Sequence, residues 1–228
     1  MAESMLSTVE QARLWISRNT DAEKKSLFGQ FLTPEKTASF MVSLFPMTHG
    51  LCRLLDAGAG IGSLSSAFLE RWQAGGFCFQ RIELDAFEID DHLLPSLAQT
   101  LTRYHHTNFV PTIRTTDFIH TASDWISGSL FSEPPPRYTH AILNPPYKKI
   151  HSNSAHRRAL RRAGIETVNL YSAFVALAVA LAAPGGQIVA IIPRSFCNGP
   201  YYRPFRHFVF KRAVIRHIHL FGARNKTF

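Results

Sequence analysis

Cysteine, long apolar runs and C-terminal acids are all scarce in this chain of 228 residues. The three cysteines, Cys52, Cys78 and Cys197, fit no metal-ligand spacing and predict the reduced thiols of a cytosolic protein. The longest apolar run, Ala173–Ala183, is too short to cross a bilayer and predicts a buried helix. The first twenty residues show no signal-peptide pattern. We therefore expect a cytoplasmic protein without a membrane partner.

Acidic residues almost vanish after residue 136. Residues 1–136 hold 10 Lys/Arg against 15 Asp/Glu, and residues 137–228 hold 15 Lys/Arg against one acid, Glu166. The two parts carry formal charges of −5 and +14, which sum to +9. Charge of one sign over so much of a chain indicates a polyanionic partner, and nucleic acid is the expected one.

The basic residues are densest between residues 148 and 162, where no acid occurs. Such a segment is either a flexible solvated loop or an element that neutralises phosphates beside a bound nucleic acid. The residues that we expect to contact nucleic acid are Lys148, Lys149, Arg157, Arg158, Arg161 and Arg162. The histidines His105, His106, His217 and His219 have no acidic or cysteine partner at ligand spacing, so no metal site is predicted from them.

Apolar segments with strand and helix periodicity alternate along the chain. Two helices, Ser4–Arg18 and Pro34 to about Phe45, come first, with Thr33 as the predicted N-cap of the second. Strands are predicted at Cys52–Leu55, Phe77–Ile89, Phe109–Arg114, Tyr138–Leu143, Gln187–Pro193 and Val214–Leu220. Helices are predicted at Leu64–Trp72, Leu93–Tyr104, Ser123–Phe131, Leu170–Ala183 and about Tyr202–Lys211. Repeated βαβ units imply an α/β fold with a doubly wound, mostly parallel sheet. We expect a helical segment over residues 1–50 and an α/β domain over residues 51–228.

A glycine-rich turn, Asp56–Gly62, follows the first strand of that domain. Gly58 and Gly60 allow the backbone to approach a ligand closely, although a tight turn without a ligand would show the same pattern. Acidic residues at the ends of the next two strands favour the interpretation that the turn binds a ligand. Glu88 could accept ribose hydroxyls, and Asp117 could accept an adenine amino group with Phe118 stacked on the base. An acidic edge suits a sulfonium cofactor better than a pyrophosphate, which favours S-adenosylmethionine over NAD.

The fourth strand ends at the tetrad Asn144-Pro145-Pro146-Tyr147. The Asn144 side-chain oxygen and the Pro145 carbonyl can each accept one N–H of a planar amino group. The two prolines stiffen the backbone, and the ring of Tyr147 can stack on the plane that bears the amine. The alternative is a proline-stiffened loop with a tyrosine at its edge.

Four sequence motifs, which we call blocks, follow one another along the chain: Gly29-Gln30-Phe31-Leu32-Thr33-Pro34, Asp56–Gly62, Glu88 with Asp117, and Asn144–Tyr147. In this order they resemble the gamma-class DNA adenine-N6 methyltransferases of bacterial restriction–modification systems. The resemblance implies a Rossmann-like fold that binds S-adenosylmethionine and a bacterial cytoplasmic location. It implies that Phe31, Thr33 and Pro34 lie against the methionine part of the cofactor, with Asp56 and Gly58 beside its amino and carboxylate end. It also implies that Glu88 holds the ribose, that Asp117 and Phe118 hold the adenine, and that the tetrad holds an adenine flipped from duplex DNA.

Members of that class normally continue with a last strand and a target-recognition domain. The resemblance therefore implies a fragment or one half of a split enzyme, whose missing C-terminal segment or second subunit reads the DNA sequence. Two alternatives stay open. The same chemistry could act on an RNA base or on a glutamine amide of a protein. The chain could also be a catalytically incomplete module that binds DNA or docks to a subunit.

Overall fold

A computed structural model describes residues 5–19, 32–128 and 134–222. The helices are α1 (Met5–Asn19), α2 (Glu35–Ser43), α3 (Ser63–Gln73), α4 (Leu94–Thr102), α5 (Phe118–Ser127), α6 (Ala155–Arg162), α7 (Leu170–Leu181) and α8 (Arg203–Phe210). The strands are β1 (His49–Ala57), β2 (Cys78–Phe87), β3 (Phe109–Arg114), β4 (Tyr138–Leu143) and β5 (Ala182–Ala190).

Within the described residues, the strands form one five-stranded parallel sheet in the order β3-β2-β1-β4-β5. The strand order reverses between β1 and β4, where Asp56 pairs with Ile142. The residues that follow these two strands are therefore neighbours at the carboxyl edge, the place where sheets of this kind bind ligands. The predicted doubly wound α/β architecture is confirmed.

Apolar side chains fill a core on each face of the sheet, because successive strand residues point to opposite faces. Leu54 belongs to the core that includes α2, α3 and α4, whereas its neighbour Leu55 belongs to the core that includes α5, α7 and α8. Both leucines are fully buried. A third cluster, of Val9, Ile61 and Leu93, packs α1 against the glycine turn. The N-terminal helices thus pack directly on the sheet domain, and the predicted boundary at residue 50 stays a prediction.

Helix α2 begins one residue later than the sequence predicted. Pro34, and not Thr33, is its N-cap residue, with an extended φ of −63° and ψ of 151°. Proline has no N–H to satisfy, and the first free N–H, that of Glu35, donates to Glu10 Oε2 at 3.0 Å. The hydroxyl of Thr33 is consequently used elsewhere, in the site described below.

Helix α5 begins earlier than the predicted Ser123. Asp117 is its N-cap residue, and its Oδ1 accepts from the backbone N–H of His120 at 2.9 Å. The helix ends at Gly128, whose φ of 65° lies in the left-handed region that glycine tolerates. The predicted end at Phe131 lies outside the described residues.

The basic segment after the tetrad is not an open loop in the described structure. It contains α6, whose N-cap Ser154 accepts from the backbone N–H of Arg157 at 3.2 Å. Ala159 and Leu160 are fully buried and anchor the helix on the domain. The alternative of a flexible basic loop is therefore wrong for Ala155–Arg162.

The last two predicted strands need correction. The strand predicted at Gln187–Pro193 is β5, which runs from Ala182 to Ala190, and its pairing with β4 shifts register across the Pro-Gly-Gly sequence. Residues 214–220 form no strand, since no described segment pairs with them. Val214 is 82% and Leu220 69% exposed, so their apolar side chains do not contribute to the core.

No helix in the described part of the chain is long and apolar enough to span a membrane. All three cysteines are free, with Cys52 buried and the other two exposed.

Candidate active site

The glycine turn connects β1 to α3 through three glycines with positive φ. These angles are 77° at Gly58, 60° at Gly60 and 85° at Gly62, a region that L side chains rarely adopt. A Cβ at Gly60 would lie 3.0 Å from Leu32 Cδ2. The positive φ therefore favours glycine at this position, and a Cβ there would in addition require the Leu32 side chain to shift.

Glu88 lies where β2 ends, and backbone amides fix its carboxylate. Oε2 accepts from the N–H of Gly60, and Oε1 accepts from those of Ile89 and Asp90, all at 2.8 Å. The side chain is 2% exposed, and this burial raises its pKa even though the amide bonds act in the opposite direction. The structure therefore joins two of the predicted cofactor elements, the turn and this acid.

Asp56 is fully buried beneath the turn. Its Oδ2 accepts from Ser65 Oγ at 2.6 Å, whereas its Oδ1 is buried without a hydrogen-bond partner. Burial raises the pKa of Asp56 to about 7, Ser65 opposes that shift, and the nearby charge of Glu88 adds to it. An orphaned carboxylate oxygen in this position suits a ligand that brings an N–H donor or a positive charge.

Asp117 and Phe118 follow β3, but other groups of the protein already contact both. Asp117 Oδ2 lies 3.0 Å from His156 Nε2 of α6. Burial acts to raise the pKa of Asp117, but hydrogen bonds from His156 and from the His120 N–H leave it below its usual value. Phe118 is 2% exposed, and its ring lies 5.0 Å from that of Phe87. Their roles toward an adenine ring remain predictions.

The tetrad Asn144–Tyr147 occupies the carboxyl end of β4. Asn144 Nδ2 donates to Thr33 Oγ1 at 2.9 Å, and the Tyr147 hydroxyl lies 3.1 Å both from Asn144 Oδ1 and from the Ile191 carbonyl oxygen. Pro145 is buried, whereas Asn144, Pro146 and Tyr147 are partly exposed. The tetrad is thus held by contacts on both sides and remains accessible.

The N-terminal block touches both parts of the site. Leu32 lies against Gly60 of the turn, Thr33 bonds Asn144 of the tetrad, and Pro34 caps α2. Phe31, the remaining predicted cofactor residue of this block, lies outside the described residues. The sequence predicted that the block lies near the cofactor, but spacing alone could not predict that Thr33 Oγ1 accepts from Asn144 or that the Ile191 carbonyl accepts from Tyr147.

Helix α6 and the two lysines that follow the tetrad carry the basic residues predicted to contact nucleic acid. Lys148, Lys149, Arg158, Arg161 and Arg162 are exposed, and Arg157 is partly buried. Ion pairs neutralise part of this charge, because Glu166 pairs with Arg157 and Arg161 and Asp124 pairs with Arg162. Five of the six predicted nucleic-acid residues therefore face solvent, although a contact with DNA stays a prediction.

One group of possible metal ligands occurs among the described residues. Asp117, His120 and His156 place their ligand atoms within 4.8 Å of one another. The hydrogen bond between Asp117 and His156 accounts for this proximity, and it raises the pKa of His156. The histidines singled out in the sequence do not belong to this group.

Comparisons with known proteins identify relatives for almost the whole chain. A model of the Eco57I restriction-modification methylase family matches residues 9–228. The chain is 49% identical over 228 residues to Type II methyltransferase M.BsuBI from Bacillus subtilis, covering 98% of this chain and 45% of that protein. It is 36% identical over 226 residues to Type II methyltransferase M.PstI from Providencia stuartii, covering 96% of this chain and 44% of that protein. The chain thus spans less than half the length of these curated relatives.

A solved structure shows the same fold. A Listeria monocytogenes protein assigned to the class I S-adenosylmethionine-dependent methyltransferases superposes with a TM-score of 0.63 at 12% identity. The match covers 91% of this chain and 58% of that one. At this identity the likeness concerns the fold alone, which is the Rossmann-like fold of that class.

Proposed function

This chain belongs to the Eco57I restriction-modification methylase family, and we propose that it transfers a methyl group from S-adenosylmethionine to the N6 amine of adenine in duplex DNA. The observation that carries this proposal is the position of the tetrad Asn144–Tyr147 beside the glycine turn Asp56–Gly62. They meet where the strand order reverses, between β1 and β4. That edge can bring a nucleotide-like cofactor and an amine together.

The residues of this edge fit a positively charged cofactor that lacks phosphate. Asp56 has a buried oxygen without a hydrogen-bond partner, and three amides fix Glu88 nearby. Two acids so placed favour an ammonium or sulfonium and disfavour a pyrophosphate. When bound, S-adenosylmethionine supplies an electrophilic methyl group on a positive sulfur. Asp56 and Gly58 would hold its methionine end, Glu88 its ribose, and Asp117 with Phe118 its adenine.

The tetrad can prepare an aromatic amine for attack. The adenine N6 shares its lone pair with the ring and is a weak nucleophile. If Asn144 Oδ1 and the Pro145 carbonyl accept its two N–H groups, the nitrogen becomes more pyramidal and its lone pair localises. Asn144 and Pro145 would so present the nitrogen to the bound methyl donor, which would supply the methyl group and leave as a neutral thioether, and one N–H proton of the amine would pass to water. Positioning and hydrogen-bond polarisation of this kind each contribute several kcal/mol, of order 3 or more.

In duplex DNA the N6 amine is paired with thymine and its lone pair faces the stacked neighbouring bases, so the target adenine has to leave the stack. Tyr147 is the aromatic side chain of the tetrad on which that base could stack, and its ring stands edge-on to Tyr171 at 6.3 Å. The exposed arginines of α6, the helix that packs against α5, could neutralise the flanking phosphates. Each phosphate contact that is removed should lower the slope of log binding constant against log salt by about 0.9.

The two curated relatives are more than twice as long as the part that this chain matches. We propose that a C-terminal target-recognition segment, or a second subunit, completes the enzyme in the bacterial cytoplasm. The chain alone should then bind the cofactor weakly and methylate DNA poorly.

Transfer of tritium-labelled methyl groups from S-adenosylmethionine to duplex DNA tests this function, with and without a C-terminal segment from a relative. We expect label on adenine N6 from the complemented protein. Asn144→Ala should abolish transfer and retain cofactor binding. Asn108→Ala, an exposed residue at the opposite edge of the sheet, should change neither.

Other outcomes would contradict the proposal in different ways. Label on cytosine, RNA or a protein glutamine would contradict the adenine assignment. Methyl transfer that persists in the Asn144→Ala variant would contradict the assignment of the tetrad as the catalytic site. DNA binding without transfer, even after complementation, would identify a binding or docking module instead of an enzyme.

A further inference from the structure

The amide of Asn144 is held by a residue from a distant part of the chain. Its Nδ2 donates to Thr33 Oγ1 at 2.9 Å, across 111 residues of sequence. Thr33 is only 4% exposed, so water competes little for its hydroxyl. On the other side of the amide, the Tyr147 hydroxyl lies 3.1 Å from Oδ1.

We propose that Thr33 is a positioning residue, whose hydroxyl holds the Asn144 amide so that Oδ1 faces the amine to be methylated. This inference rests on the proposed function and assigns a role within the same site. An asparagine amide can rotate about its last side-chain bond, and half a turn exchanges its oxygen and nitrogen. After such a turn, Nδ2 would meet the N–H groups of the substrate, and the acceptor that the reaction needs would be lost.

Thr33 is suited to this role because the chain is fixed on both sides of it. The preceding residue, Leu32, rests against Gly60 of the glycine turn. The next residue, Pro34, caps α2, and the N–H of Glu35 is bound by Glu10 of α1. A hydroxyl held between two anchored residues has little freedom, so it fixes the position of the amide that it contacts, and the Tyr147 hydroxyl at Oδ1 restrains the opposite end of that amide.

The inference differs measurably from the role that resemblance implies for Thr33. A residue that mainly contacts the methionine part of the cofactor would, when changed, raise the KM for S-adenosylmethionine. A residue that positions Asn144 would lower kcat and leave that KM nearly unchanged. Thr33→Val has nearly the same volume and removes the hydrogen bond, whereas Thr33→Ser keeps the hydroxyl.

We expect Thr33→Val to lower the kcat of the complemented protein by about 10- to 100-fold, with the cofactor KM within about twofold of the parent value. Thr33→Ser should restore most of kcat. Thr139→Val is the matched control, because it removes a threonine hydroxyl that accepts from the backbone N–H of Arg53 at 2.9 Å near the start of β4, and it should leave both constants unchanged. A Thr33→Val variant with parental kcat, or with a raised cofactor KM alone, would overturn the inference.

A second readout does not depend on activity. The side-chain amide signals of Asn144, assigned in ¹⁵N–¹H spectra by their absence from Asn144→Asp, should show slowed hydrogen exchange in the parent and in Thr33→Ser. Thr33→Val should lose that protection. Parental protection in Thr33→Val would refute the role of Thr33, whereas normal protection without methyl transfer by any complemented protein would refute the proposed function alone.

Discussion

Replacing Asp56 by asparagine should change how the stability of the protein depends on pH. Asp56 is fully buried, and burial raises its pKa to about 7 in the folded protein, from a usual value of 3.8. Because the folded state keeps a proton that the unfolded chain has already lost, stability falls as the pH rises from 3.8 toward 7 and is level above it. Asparagine does not titrate, and its carbonyl can still accept from Ser65 Oγ.

The size of the effect follows from proton linkage. Between pH 5 and 7 the folded state holds about one proton more at Asp56 than the unfolded chain does, so the free energy of unfolding falls by about 1.4 kcal/mol per pH unit. The parent protein should therefore lose about 2.5 kcal/mol over this interval relative to Asp56→Asn. The comparison between the two proteins cancels the contribution of every other titrating group that the substitution does not disturb.

Urea denaturation of both proteins at pH 5, 6, 7 and 8, in the absence of cofactor, measures this difference. Asp91→Asn, at an exposed aspartate, is the control and should show no such trend. If the difference between parent and Asp56→Asn is constant with pH, Asp56 is ionised throughout and the claim that burial raises its pKa fails. Under the proposed function, Asp56→Asn should also weaken binding of S-adenosylmethionine above pH 7, where Asp56 of the parent is ionised and asparagine offers no charge that favours a cation.

Three further substitutions or conditions test other parts of the site and core. Gly60→Ala should lower the melting temperature by about 2–8 °C, since its positive φ strains an L residue by about 1–2 kcal/mol and its Cβ would displace Leu32. Acid should destabilise the fold through His140, because burial lowers the pKa of this side chain to about 4. In denaturation titrations the free energy of unfolding should fall by about 3 kcal/mol between pH 6.5 and 4. His140→Gln should remove most of that fall. His156→Gln should cost at most about 1 kcal/mol, because its pairing with Asp117 is partly exposed. The pairing raises the pKa of His156, so this cost should be present below pH 6.5 and vanish as the pH rises through the raised pKa.

The elements that hold the site could be predicted because strands end where acids or turn residues begin. Both β3 and β4 have their predicted bounds, so Asp117 and Asn144 were placed correctly at the carboxyl edge. The glycine turn could be predicted in the same way, because closely spaced glycines directly after a buried strand are typical of a tight strand-to-helix turn. Local sequence therefore located the parts of the site.

The contacts that join these parts of the site could not be predicted from the local sequence. The bond between Thr33 and Asn144 depends on how the block before α2 docks over the turn, and no local pattern encodes that docking. The pairing of Asp117 with His156 requires α6 to pack beside α5, whereas the sequence predicted no helix in this basic segment. Thr33 was assigned as a helix cap because threonine often caps helices, yet Pro34 takes that position and releases the hydroxyl.

The strand predicted at residues 214–220 failed for a different physical reason. Its alternation of apolar and polar residues fits a strand, but a strand is stable only with a hydrogen-bonded neighbour, and the described residues provide none there. His219 instead packs on Phe40 of α2, with ring centroids 4.7 Å apart. Pattern alone predicts the capacity to form a strand, and pairing decides whether it forms.

A crystal structure of this chain, complemented if necessary by a C-terminal segment, with S-adenosylhomocysteine would test the central claim most directly. We predict that the ligand lies along the carboxyl edge of the sheet, with its ribose against Glu88, its amino group near Asp56 and its sulfur facing the tetrad at Asn144. Ligand density at another surface, or a sulfur directed away from Asn144, would contradict the assignment of this edge as the place where methyl donor and amine meet.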